Sequence, residues 1–116
     1  LGDVYKRQAM LETIFKKFGL SYLIFNNPED FLKVYDDVVD DCFLIVVDLS
    51  LPKMSGEQLI RIIREKNKDI PIYAMSGYAR DDMNLDENLI TKFYDKPFNV
   101  MSFADDITKL KESNDR

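Results

Sequence analysis

Three residues of this chain carry side chains whose chemistry fits together: Asp48, Ser76 and Lys96. A carboxylate is a competent nucleophile toward an activated phosphoryl group and gives an acyl phosphate. A hydroxyl can donate to a phosphoryl oxygen, and a lysine ammonium neutralises charge on the transferred group as a point charge. Gly77 beside Ser76 leaves room for a bulky anion near the backbone, and Pro97 fixes the chain just after Lys96. Taken singly, each residue has an ordinary alternative: a turn acid, a hydroxyl satisfying backbone groups, a solvated lysine. The trio matters only if the fold brings it to one point.

The elements that would do so can be read from the hydrophobic pattern. Residues 44–47 are aliphatic, show no alternation and are too few for a helix. They predict a strand over residues 42–48 that is buried on both faces of a parallel sheet. Asp48 then stands at its carboxyl end, where open α/β sheets place their ligands. Met10, Leu11, Ile14, Phe15 and Phe18 predict a first helix, stopped by Gly19. Residues 21–25 read as a strand. Asn27 caps a second helix with Pro28 in its first turn and Phe31, Leu32, Tyr35 and Val38 inward. Ser55 or Gly56 opens a third, with Leu59, Ile60, Ile62 and Ile63 inward and Arg61, Arg64, Glu65 and Lys66 mostly outward. A strand over 72–75, a loop over 76–78, a polar helix over 81–90 and a strand over 92–95 follow. The last helix carries Met101, Phe103, Ile107 and Leu110, and residues 111–116 read as a frayed tail. Strict alternation of helices and strands implies a parallel sheet with helices on both faces and right-handed crossovers.

Composition narrows the function. A chain of 116 residues suffices for one core. With no histidine, a His-based triad and a His-ligated zinc are excluded, and any metal would be oxygen-held, magnesium or calcium. A net charge of -5 argues against direct nucleic-acid binding. No apolar run nears the roughly 20 residues of a membrane span, so no direct membrane contact is expected. The single cysteine, Cys42, fits a reducing cytoplasm.

Asp48 with Pro52 four residues on and Gly56 eight on, then Ser76-Gly77, then Lys96-Pro97-Phe98, resembles a response regulator receiver domain over residues 9–113. The resemblance implies an α/β, flavodoxin-like doubly wound parallel sheet of five strands in the order 2-1-3-4-5. It implies a phosphorelay module of a two-component system, not an enzyme. Asp48 would be phosphorylated by a histidine kinase or phosphotransfer protein. Ser76 would be the switch hydroxyl, Lys96 the paired lysine, and Phe93 the aromatic that changes rotamer. Mg2+ would be held by Asp48 and the backbone carbonyl of Ser50. An output domain or protein would complete the pathway, with the receiver standing alone or ending a hybrid kinase.

One departure is serious. The family carries an acidic pair after its first strand, and Asp3 is the only acid here before the first helix. The first strand and acidic loop are therefore expected to be missing or replaced, with Mg2+ belonging to the intact parent and weak or absent here. Phosphorylation of the chain as written is expected to be slow or absent. Residues 1–8 lack a clear period, and residues 3–8 resemble the translation of a transposase end sequence used in sequencing libraries. They are expected to be non-native, with the natural N-terminus upstream; the alternative is a short first strand over 1–5. The organisation is then 1–8 atypical, 9–113 receiver, 114–116 polar tail. Two other functions remain open: a pseudo-receiver that docks without phosphorylation, and a haloacid-dehalogenase-like phosphatase. The phosphatase needs a second aspartate two residues after the nucleophile, where this chain has Ser50.

Overall fold

The computed structural model describes residues 2–49, 56–76, 85–97 and 99–115, with no side chain described for residues 2–7. These fall into two compact units, Leu1–Ile24 with Asn99–Arg116, and Phe25–Phe98.

The second unit holds the sheet. It begins with α2, Pro28–Val38, where the Asn27 side chain accepts from the Asp30 N–H at 2.9 Å. A 3-10 turn at Val39–Asp41 leads to β1, Ile45–Asp48. Helix α3, Gly56–Lys66, precedes β2, Ile72–Ser76; a 3-10 turn at Glu87–Leu89 precedes β3, Lys92–Asp95. The three strands run parallel in the order β1-β2-β3, with Ile45 opposite Ile72 and Tyr73 opposite Lys92. Every residue of β2 is buried, as the middle strand requires. The core of this unit joins Ile45 and Val47 of β1, Leu59, Ile60 and Ile63 of α3, Ile70, and Ile72 and Ala74 of β2.

Gly56 is the first residue of α3 and lies against the end of β1. A Cβ there would stand 3.1 Å from Val47 Cγ1 and 3.3 Å from Leu49 Cα, and would collide with Leu49 Cδ2. Gly56→Ala is expected to destabilise the fold by about 1–3 kcal/mol through overpacking, measured as a lower urea midpoint.

In the first unit, α1 spans Gly2–Lys17 and α4 spans Val100–Asn114. Gly19 adopts φ +69 after α1, where Leu20 N–H bonds Phe15 O at 2.8 Å. This left-handed cap is open to glycine at little steric cost. Phe103, Ala104 and Ile107 form the buried face of α4.

Several expectations are corrected. Residues 21–25 form no strand. In the order 2-1-3-4-5 that segment would pair only with a first strand, and the residues ahead of it are taken up by α1. An extended run without a ladder partner leaves its backbone to other contacts. For the same reason the sheet has three strands among the described residues, not five, and their order is the 3-4-5 part of the expected one. Helix α1 starts at Gly2, so the helical segment does not begin after residue 8, and residues 2–5 of the strand expected over 1–5 are helical. The strand expected over 42–48 begins only at Ile45, because Cys42 N–H is still bonded into the turn at Val39. The polar helix expected over 81–90 is, where described, only the 3-10 turn at Glu87–Leu89; residues 81–84 lie outside the described residues. Residues 111–114 continue α4, stabilised by Lys111–Asp115 at 3.1 Å, and Met101 is exposed instead of inward.

Candidate functional site at the carboxyl edge of the sheet

Asp48 is the last residue of β1 and Ser76 the last of β2, while Lys96 follows β3 by one residue. The register places Asp48 opposite Met75 and Ser76 opposite Asp95. Two further bonds lock this edge: Leu49 N–H to Met75 O and Lys96 N–H to Ser76 O, both 2.8 Å. Parallel neighbours lie about 4.8 Å apart, so the three chain ends emerge side by side.

Lys96 Nζ donates to Asp48 Oδ2 at 2.8 Å, across 48 residues of sequence. The two side chains are only 14% and 15% exposed. An ion pair this sheltered is weakly screened by salt, and it fixes the position of the Asp48 carboxylate at the end of β1. Ser76 is fully buried. No buried side-chain nitrogen or oxygen among the described residues lacks a hydrogen-bond partner.

The remaining expected site residues divide clearly. Phe93 lies on β3 opposite Ala74 and packs, half-buried, against the core. Gly56 opens α3, and Pro97 is exposed after a cis bond to Lys96. Ser50, Pro52 and Gly77 lie outside the described residues. Among the described residues no group of three His, Cys, Asp or Glu side chains could hold a metal ion. Magnesium demands near-octahedral oxygen ligation. At this edge the Asp48 carboxylate already accepts from Lys96, and Asp95, the other described acid there, is exposed at the end of β3. These residues do not by themselves fit a resident Mg2+.

Sequence reasoning missed Arg64. It was expected outward, yet its Nε donates to Leu89 O at 2.7 Å and its Nη1 to Ile70 O at 2.7 Å and Asn67 O at 3.3 Å. Burial pushes its guanidinium pKa down from the usual value. The signal was present: Arg64 follows Ile60 by four positions and so continues the apolar stripe. Thr91 was also missed. Its N–H bonds Ile72 O at 2.8 Å while its Oγ1 accepts the Ile72 N–H at 3.1 Å.

Cys42 donates to Leu44 O at 3.0 Å, and burial pushes its thiol pKa up, with a backbone hydrogen bond at Leu44 opposing. A raised pKa means less thiolate at a given pH. Alkylation of Cys42 by iodoacetamide at near-neutral pH is expected to run slower than that of free cysteine and to rise with pH.

A short parallel sheet with Asp48 and Ser76 ending two of its strands and Lys96 one residue beyond the third defines an α/β protein whose polar side chains meet at the carboxyl edge, where such sheets place ligands. A sequence profile of the response regulator receiver domain matches residues 3–107, and the chain belongs to that family. The sensor kinase CckA of Brucella abortus is 29% identical over 86 residues, which is 72% of this chain and 9% of that protein. The transcriptional regulatory protein FlgR of Helicobacter pylori is 28% identical over 113 residues, 95% of this chain and 28% of that protein. The chain thus spans less than a third of either relative. The response regulator TrrA of Thermotoga maritima, solved with Mg2+-BeF, superposes with a TM-score of 0.70 at 23% identity, covering 89% of this chain and 90% of that one. A structure of the histidine kinase ThkA in complex with TrrA matches with a TM-score of 0.71, again at 23% identity, covering 91% and 89%. The fold is flavodoxin-like, the receiver architecture. No helix among the described residues is long and apolar enough to cross a membrane.

Proposed function

We propose that this chain is the phosphoacceptor of a two-component relay, with Asp48 as the acceptor. The observation that carries the reading is the sheltered Lys96–Asp48 pair at the carboxyl edge of a parallel sheet. An Asp48 carboxylate oxygen attacks phosphorus in a phosphohistidine. The P–N bond breaks, the imidazole nitrogen leaves and takes a proton, and an acyl phosphate forms. Lys96 neutralises the incoming oxygens and the Ser76 hydroxyl donates to one of them. Phe93 relays the change by altering its packing. Charge neutralisation in this chain rests on Lys96, and Mg2+ belongs to a parent carrying the acidic pair.

The donor is a histidine kinase or phosphotransfer protein, a reading supported by the sensor kinase relative and by the kinase-bound TrrA. The module acts in the cytoplasm, turns over no substrate of its own and feeds an output domain or protein. It is the receiver of a hybrid kinase or a stand-alone regulator. The test is intact mass after incubation with Mg2+ and a small acyl phosphate donor. This chain is run beside a version whose residues 1–8 are replaced by a hydrophobic strand ending in two aspartates. A gain of one phosphoryl group, lost on Asp48→Asn, supports the reading. A folded replacement that gains none overturns it and leaves a docking module.

A further inference from the structure

Strand β3 is four residues long, with Lys92 and Asp95 exposed and Phe93 and Tyr94 half-buried. Little apolar burial therefore holds it, and it lies at an edge of the three-stranded sheet. Short edge strands fray. Yet Lys96, one residue beyond β3, must meet Asp48 at 2.8 Å. Something has to set where β3 begins.

Arg64 stands at that point. One guanidinium binds Leu89 O, three residues before β3, and Ile70 O, two residues before β2, each at 2.7 Å. It thereby ties the approaches to two neighbouring strands to the last turn of α3. Thr91 takes over next, exchanging two bonds with Ile72. The ladder carries this register forward to Lys96 N–H on Ser76 O. A planar guanidinium presents its donors in a fixed fork, so it can hold two carbonyls in one relation; a lysine cannot.

We propose that Arg64 is a positioning residue for the Lys96–Asp48 pair, acting through the register of β3. Its functional meaning rests on Asp48 being the phosphoacceptor, but its structural effect does not. Arg64→Met keeps the apolar stem and removes every donor. Losing charge-assisted bonds that hold the strand is expected to raise amide exchange at Thr91 and Lys96 about tenfold. The Leu49 amide, bonded to Met75 O at the far end of β2, is expected to keep its rate. Acylation of the Lys96 amine is expected to speed up several-fold relative to Lys33, whose side chain is 77% exposed. Arg64→Lys is expected to fall between, and it is read on the same amides if Arg64→Met does not fold. Unchanged exchange at Thr91 and Lys96 overturns the proposal. So does equal acceleration in both ladders, which marks Arg64 as a general stabiliser. None of these readings needs a phosphodonor, so failure of Asp48 to accept a phosphoryl group is seen separately.

Discussion

In the version whose residues 1–8 are replaced by a strand ending in two aspartates, Asp48→Asn is expected to abolish acyl phosphate formation while leaving the chain folded. The amide nitrogen that replaces one carboxylate oxygen is not a nucleophile toward phosphorus, and the remaining carbonyl oxygen is a poor one. The shape of the side chain is retained. An asparagine oxygen can still accept from Lys96 Nζ, now 2.8 Å from Asp48 Oδ2. What is lost is the charge assistance of that bond, in a pair only 14% and 15% exposed. Charge-assisted hydrogen bonds exceed neutral ones by roughly a factor of two, so the stability cost is expected to be about 1–2 kcal/mol. Loss of the mass gain with a small shift in the urea midpoint identifies Asp48 as the reacting group. A residual mass gain that survives in Asp48→Asn would place the modification elsewhere and remove the basis of the proposed function.

The largest effect on stability is expected from Ile60→Ala. Ile60 is completely buried on α3, in one cluster with Ile45, Val47, Ile63, Ile72 and Ala74. That cluster is where α3 meets β1 and β2, and among the described residues the sheet has three short strands to spread the load. Removing three carbons from a closed, rigid core loses their transfer free energy and leaves a cavity, at a cost of about 3–4 kcal/mol. Domains of this size have net stabilities on the order of 5–15 kcal/mol, so the loss is a large share of the whole. Ile60→Val is expected to cost about 1 kcal/mol. Chemical denaturation separates the two, with the midpoint falling and the slope unchanged. A loss below about 1 kcal/mol for Ile60→Ala would mean that this cluster is not what holds the sheet unit.

Much of the fold was legible because hydrophobic period and local caps act over a few residues. The uninterrupted aliphatic run before Asp48 announced a buried parallel strand, and β1 ends at that aspartate. Asn27 and Pro28 announced the start of α2, where the asparagine side chain does bond the Asp30 N–H. Gly19 announced the stop after α1, and it takes the left-handed cap. Order along the chain put Asp48, Ser76 and Lys96 at the ends of three successive strands, and the resemblance to a receiver domain implied that those strands are neighbours, as β1-β2-β3 are.

What pattern could not supply was anything that depends on a partner distant in sequence. Residues 21–25 have strand-like composition, but a strand exists only with a neighbour to bond, and none is found for them among the described residues. Arg64 looked like a solvated charge because its class is usually exposed; only folding brought three carbonyls within its reach. Thr91 carried no sequence signal, because its bonds to Ile72, nineteen positions away, exist only once β2 lies beside it. The amino-acid sequence by itself thus determined which residues could do chemistry and which short elements would carry them, since both are matters of side-chain type and local period. Only the tertiary structure decided that Lys96 closes on Asp48 and that Arg64 anchors the approach to β3, because hydrogen bonds and ion pairs fall off within a few ångströms and the distances between remote residues are set by packing.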